Sequence, residues 1–157
     1  MTEEERVKQQ LEERFGYLKD AVAVKRERRI FAEVPLEKFE EVLSHVVGQM
    51  GFDALRTITG MDNGDSFGIL YHLSKEGRTV LSLRVRISKD NARVKTVTSF
   101  FANADLYERE IMDLLGIEVA GLSPGNRYPL PDNWPKDEYP LRKDWKPSIG
   151  KSEVPDE

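Results

Sequence analysis

Cysteine is absent from the 157 residues, which excludes disulfides, zinc ribbons, iron–sulfur ligation and nickel–thiolate chemistry by this chain. If the chain serves a redox machine, the electrons are expected to travel elsewhere. There are two histidines, and neither His45 nor His72 has a second ligand or a recognisable acid partner close in sequence. Both read as ordinary structural side chains. Long apolar runs are also missing: none approaches the ~20 residues that span a bilayer, so the chain is expected to be soluble. The stretch Met1-Thr2-Glu3-Glu4-Glu5-Arg6 is acidic and lacks the basic start and apolar core of a secretory leader, which predicts a cytoplasmic home. An excess of positive charge is lacking as well, since 24 Lys and Arg stand against 28 Asp and Glu. A net charge of −4 exerts no long-range pull on nucleic acid or anionic lipid. Walker loop, Rossmann glycine fingerprint and nucleophile elbow are all absent, and Gly60-Met61-Asp62-Asn63-Gly64 matches none of them.

What is present is a period that changes along the chain. Residues 2–18 carry Val7, Leu11, Phe15 and Leu18 at helical spacing. Ala21-Val22-Ala23-Val24 and Ile30-Phe31-Ala32-Glu33-Val34 are strand-like, joined by the charged run Lys25-Arg26-Glu27-Arg28-Arg29, which suits a solvated hairpin turn. After Pro35, the residues Leu36, Phe39, Val42, Leu43, Val46, Val47 and Met50 trace one apolar helix face, with Gly51 as its terminator. Strands are predicted over 54–60, 66–73, 79–87 and 94–101, punctuated by turns at Asn63-Gly64-Asp65, Lys75-Glu76-Gly77 and Lys89-Asp90-Asn91. Leu81, Leu83, Val85 and Ile87 alternate onto one face and leave Ser82, Arg84 and Arg86 on the other. A third helix is predicted from Asn103, as N-cap, to Leu115, with Gly116 as C-terminal stop.

Proline is scarce until late. Seven of the eight (Pro124, Pro129, Pro131, Pro135, Pro140, Pro147, Pro155) follow Gly121, which forbids long helices and central strands there. The predicted fold is therefore α+β: a mainly antiparallel or mixed sheet with helices packed on one face in residues 1–121, then an extended proline-rich arm and tail over 122–157. Lys151 to Glu157, charged and without aromatics, is expected to be a loose end.

The third helix breaks local rules. At about 100° per residue from Leu106, Leu114, Tyr107, Ile111, Leu115 and Met112 span an apolar arc, and Glu108 falls inside it, between Leu115 and Met112. Arg109 and Asp113 lie outside it as a four-apart pair, with Glu110 on the other flank. A carboxylate on an apolar arc needs hydrogen bonds and a counter-charge, so a basic partner for Glu108 is expected among Arg84, Arg86, Arg127 and Arg142. Asp113 stands near the negative end of the helix dipole, also against expectation. Such violations gather at functional or interface positions.

The stretch Ala104-Asp105-Leu106-Tyr107-Glu108-Arg109-Glu110-Ile111-Met112-Asp113-Leu114-Leu115-Gly116-Ile117 resembles the Glu-Arg-Glu signature of the thirty-kilodalton subunit of complex I, the C subunit of bacterial NADH dehydrogenase. A second similar motif follows in Arg127-Tyr128-Pro129-Leu130-Pro131-Asp132-Asn133-Trp134-Pro135 and Tyr139-Pro140-Leu141-Arg142-Lys143-Asp144. The resemblance implies a compact α+β subunit with a C-terminal arm and no cofactor of its own. Its implied partners are a large hydrogenase-like catalytic subunit, a small iron–sulfur subunit and, through the complex, membrane subunits. Iron–sulfur clusters, and nickel–iron in a hydrogenase version, would reside in those partners. Family motif and interface residues would be Glu108, Arg109, Glu110, Asp113, Gly116, Arg127, Tyr128, Trp134, Pro140, Leu141 and Arg142. The place would be peripheral, at the cytoplasmic face of the membrane.

Two departures refine the resemblance. Met112-Asp113-Leu114-Leu115 stands where the respiratory family often has an aromatic residue before the glycine, and Tyr128-Pro129-Leu130-Pro131 is more similar to versions found with membrane-bound hydrogenases. They favour a ferredoxin-linked, ion-pumping hydrogenase or sulfane reductase type of complex, with a donor:quinone oxidoreductase of the respiratory kind as the alternative. A free-standing enzyme using Glu108 or Glu110 as general base has no nucleophile, metal cluster or phosphate loop behind it. A nucleic-acid adaptor reading would rest on Arg84 and Arg86 alone, against the acidic total.

Overall fold

Period-two alternation and helical stripes build the molecule, seen in a computed structural model that describes residues 1–148. The expected loose end, Lys151 to Glu157, lies outside the described residues. In chain order the elements are α1 (Glu3–Arg14), β1 (Val22–Arg26), β2 (Arg29–Glu33), α2 (Phe39–Gly48), β3 (Ala54–Asp62), β4 (Ser66–Lys75), β5 (Thr79–Ser88), β6 (Arg93–Lys95), α3 (Ala104–Leu115) and β7 (Glu118–Ala120). The main sheet runs β1-β2-β5-β4-β3; only the β2–β5 pairing is parallel, and β6 and β7 form a separate parallel ribbon. The architecture is α+β with a mixed sheet.

Register puts Val22, Ala32, Leu83, Tyr71 and Ile58 in one row across all five strands, and every one is buried. Leu81, Leu83, Val85 and Ile87 join Phe39, Val42, Leu43 and Val46 in a single core, as the two periodicities require. All three helices cover this face. The Phe39 ring of α2 lies 4.5 Å from that of Tyr71. The α1 residue Glu3 accepts a hydrogen bond from Thr79, which shares the Leu81 face. Gly60 of β3 lies so close under α3 that an added Cβ would sit 2.6 Å from Leu115 Cδ1. The opposite row, Ala23, Phe31, Ser82, His72 and Thr57, is half-buried and has no helix over it among the described residues.

Boundaries differ from expectation where local chemistry intervenes. The first helix ends at Arg14 instead of reaching Leu18; Phe15 leaves helical geometry at φ −125°, and a 3-10 turn at Gly16–Leu18 carries Leu18 into the core. The second begins at Phe39 after another 3-10 turn at Leu36–Lys38. Gly51, at φ +77°, then lets the Phe52 N–H reach back to the Val46 carbonyl at 3.1 Å. The strand expected over 94–101 is cut to Arg93–Lys95, because Val97 N–H is taken by Glu108 and Thr98 N–H by the Thr96 hydroxyl. Asn103 holds the N-cap position of α3, but its amide donates to the Leu55 carbonyl across to β3 and makes no cap bond.

Residues 122–148 contain neither helix nor strand and run along α3 and the Asp62 turn. No helix among the described residues is long and apolar enough to cross a membrane.

Candidate partner interface

The α3 helix turns Glu108 inward as the wheel predicts, and each of its other charges meets a different environment. Glu108 is 1% exposed. Its carboxylate accepts Val97 N–H at 2.6 Å and the Thr96 hydroxyl at 2.6 Å. Burial raises its pKa above the ordinary carboxylate value, and the two donors offset only part of that. The expected basic partner is a correction: none of Arg84, Arg86, Arg127 or Arg142 pairs with it. Those arginines are engaged or placed elsewhere, and a backbone N–H with a hydroxyl satisfies the carboxylate without moving a long cation into the core. The negative charge of Glu108 adds to burial in raising the pKa of the buried Tyr71 hydroxyl.

Arg109 does not join Asp113 four residues on. It makes a bidentate contact back to Asp105, at 2.7 and 3.1 Å, and donates to the Ser123 carbonyl at 2.6 Å. Acid before base is the orientation the helix dipole favours. Gly125 passes close enough that a Cβ there would lie 2.8 Å from Arg109 Cζ.

Asp113 is 7% exposed and accepts Arg127 Nε at 3.1 Å and the Leu130 N–H at 3.0 Å. Two donors from the C-terminal segment thus offset its unfavourable place in the helix dipole. One turn on, Gly116 adopts φ +71° and closes α3 by donating to the Met112 carbonyl. Tyr139 and Arg142 crowd it so tightly that an added Cβ would be 2.6 Å from Tyr139 Cε2. The Leu141 N–H caps the Leu114 carbonyl at 3.0 Å, and Arg142 Nε caps that of Leu115 at 2.7 Å. The Arg142 guanidinium lies over the rings of Tyr139 and Phe67, at 4.6 and 5.2 Å.

Asp62 completes this side, and sequence reasoning missed it. It binds Lys89 Nζ at 2.7 Å, Lys143 N–H at 2.9 Å and Gly64 N–H at 2.8 Å. Burial alone would raise its pKa, but Lys89 and the two backbone donors hold it at about 2. The Asp62-Asn63-Gly64 order, with a side chain bonding two residues on, was the signal available.

The structure therefore brings Asp113, Gly116, Arg127, Leu141 and Arg142 together around the end of α3. Glu108 faces the core, and Arg109 is bound to the chain leaving β7. Trp134 stacks near Trp145 at 6.0 Å and donates to the Glu138 carbonyl; Pro140 lies in the turn beside Tyr139, and Glu110 is half-buried near Leu141. Leu106, Leu141 and Tyr128 stay 54%, 53% and 43% exposed. No group of three or more metal-ligating side chains occurs among the described residues.

The site is thus a sheet covered on one face, a short charged helix and a segment pinned beside it by Asp113 and Asp62. The family model for the respiratory-chain NADH dehydrogenase 30 Kd subunit matches residues 32–149, and the chain belongs to that family. It is 35% identical to the C subunit of F(420)H(2) dehydrogenase from Methanosarcina mazei, over 74% of this chain and 75% of that protein. It is also 35% identical to the C subunit of NADH-quinone oxidoreductase from Chloroherpeton thalassium, over 62% of this chain but 41% of that one. Among solved structures, a chain of the membrane-bound sulfane sulfur reductase, an archaeal respiratory membrane complex, superposes with TM-score 0.81 at 28% identity, covering 92% of this chain and 86% of that one. A trypsin-resistant fragment of Nqo5 gives TM-score 0.64 at 26% identity, over 76% and 99% of the two chains. The protein is a subunit related to those of complex I.

Proposed function

We propose that this chain is a cofactor-free subunit that clamps and orients the large, hydrogenase-like catalytic subunit of its complex, using the 122–148 segment and the outer face of α3. One observation carries this reading. The segment is fixed to α3 by Asp113, Leu141 and Arg142, yet it leaves Leu141 and Tyr128 exposed, and Leu106 and Leu114 lie two turns apart on α3. Apolar side chains on a rigid support are what a docking surface needs, since a preordered surface loses less entropy on binding. The full assembly would include a small iron–sulfur subunit and membrane subunits, with this chain peripheral at the cytoplasmic face. Iron–sulfur clusters, and nickel–iron in a hydrogenase version, would lie in the partners.

The complex we favour is ferredoxin-linked and ion-pumping, of the membrane-bound hydrogenase or sulfane reductase type. Support comes from the match along nearly the whole chain to the sulfane sulfur reductase. The second reading, a donor:quinone oxidoreductase, is supported by the NADH-quinone oxidoreductase relative.

Truncation after Leu122 tests the clamp, with thermal stability and co-purification with the large subunit as readouts. Tyr128→Glu and Leu141→Glu separate docking from folding, because both side chains are exposed in the free chain. They are expected to leave the melting temperature in place and lower co-purification. Undiminished binding by the truncated chain and by both variants would refute the clamp.

A further inference from the structure

The sheet face away from the core carries chemistry that the clamp does not use. Next to the row Ala23, Phe31, Ser82, His72 and Thr57 runs Glu33, Arg84, Leu70 and Thr59, again side by side in register. Phe31, Leu70 and Val80 are half-buried apolar side chains here, with no helix above them among the described residues. His72 is fully engaged within the face, with Nδ1 at 2.7 Å from Ser82 Oγ and Nε2 at 3.3 Å from Thr59 Oγ1.

Arg84 is the exception. Its Nε is shut off from solvent without a hydrogen-bond partner. The carboxylate beside it in register, Glu33, is turned to Arg86 at 3.6 Å. Lys25 lies over the Phe31 ring at 5.3 Å. Arg86 thus holds Glu33 and Lys25 covers Phe31, while Arg84 makes no ion pair with any carboxylate among the described residues of a molecule whose net charge is −4. A cleft of about 620 Å³ opens beside Lys25 and Arg86, lined also by Asp20, Ala23, Phe31 and Glu33; Arg84 stands in register next to Glu33 on the same face.

An orphaned guanidinium nitrogen closed off from water is an unmade interaction. Arginine is also the cation best shaped to hold a carboxylate across an interface, by its planar fork. Asp20 and Glu33 balance Lys25 and Arg86 there, which leaves Arg84 as the cation in excess, and a positive charge in excess on an acidic molecule selects an acidic partner group. We propose that the open sheet face is a second interaction surface, taking a protein segment that presents an Asp or Glu carboxylate to Arg84 and apolar side chains to Phe31, Leu70 and Val80. It is separate from the 122–148 segment, and it rests on the clamp reading only in that the protein works inside a multichain assembly.

The test uses Arg84→Lys in the full chain within its native assembly. A water-soluble carbodiimide joins an amine to a carboxylate only when the two touch. The expected product is an amide between position 84 and an Asp or Glu of another kind of subunit, located by mass spectrometry and absent from the free chain. A link to Glu33 alone, or to a second copy of this chain, would overturn the proposal. Should the variant fail to assemble, phenylglyoxal modification of the unaltered protein serves instead. Arg84 is expected to react at least about tenfold more slowly in the assembly than in the free chain. Equal rates, or protection that nuclease treatment removes, would also overturn it. Because the readout is confined to position 84, this surface and the clamp can fail independently.

Discussion

Replacing Glu108 separates two roles that a buried carboxylate can have. Its oxygens hold the Val97 N–H and the Thr96 hydroxyl, both at 2.6 Å, in a site 1% exposed. Glu108→Ala strands a buried backbone donor, which costs about 1–3 kcal/mol, and loses charge-assisted bonds to a hydroxyl and an N–H. Removing a desolvated charge returns part of that, so the net loss should be about 2–3 kcal/mol, or roughly 4–12 °C in melting temperature for a chain of this size. This is smaller than the roughly 3–5 kcal/mol expected for breaking a buried ion pair, because no cation is left behind. Glu108→Gln keeps an acceptor for Val97 and turns a donor to Thr96, whose hydroxyl can pass its own proton to Thr98 Oγ1 at 2.9 Å. Its effect at neutral pH should be small.

The pH dependence gives the sharper test. The folded pKa of Glu108 is raised by burial, so its protonated form is favoured in the fold. That contribution is fully present below the unfolded pKa and is lost as pH rises through the folded value. The glutamine variant, always neutral, should therefore gain on the unaltered protein as pH climbs from below the ordinary carboxylate range to 7. Chemical denaturation of both proteins across that interval measures the difference. A constant difference between them, or a gain at the acid end, would refute the assignment of burial as the dominant influence.

Asp62 shows the opposite sign. Its folded pKa is lowered to about 2 by Lys89 and the N–H groups of Lys143 and Gly64, so its contribution is present above the unfolded value and disappears as pH falls through about 2. Acidification, or Asp62→Asn at neutral pH, should raise amide exchange at Lys143 before the sheet opens; unchanged exchange there would count against the latch. Asp113→Ala should remove about 1–2 kcal/mol, the loss of one ion pair and one bond to Leu130 less the relief of a misplaced helix charge. Hydrogen exchange should rise at Leu130 by about 5- to 30-fold at that energy while α2 stays protected.

Local periods made much of this legible in advance. The alternation of Leu81, Leu83, Val85 and Ile87 could serve only one covered face, and the Phe39 to Val46 stripe only one helix orientation. Gly116 marked the end of α3 because a residue with a Cβ rarely adopts φ +71°. The partner of Glu108 was not legible. Every residue but proline carries a backbone N–H, so the identity of Val97 gives no sign that it will donate. The same bond explains the shorter strand: Thr96 N–H still reaches the Ala120 carbonyl of β7, but Val97 and Thr98, despite their β propensity, spend their donors on Glu108 and the Thr96 hydroxyl. The orphaned Arg84 likewise depends on Glu33 turning two residues along β5 to Arg86, a choice made in three dimensions.

The middle place of β5 in the sheet sets the order in which the protein can be made. A chain emerging from its N-terminus can close β1 on β2 and later β3 on β4, each a local antiparallel hairpin with an open edge. The two hairpins have nothing in common until Thr79–Ser88 is delivered, because β5 alone borders both. Leu81, Leu83, Val85 and Ile87 of β5 then complete the core face shared by both halves, the floor on which α2 rests. The Lys75-Glu76-Gly77 turn feeds β5 into this slot, and a longer connection there is expected to prolong the interval in which two unpaired strand edges are exposed.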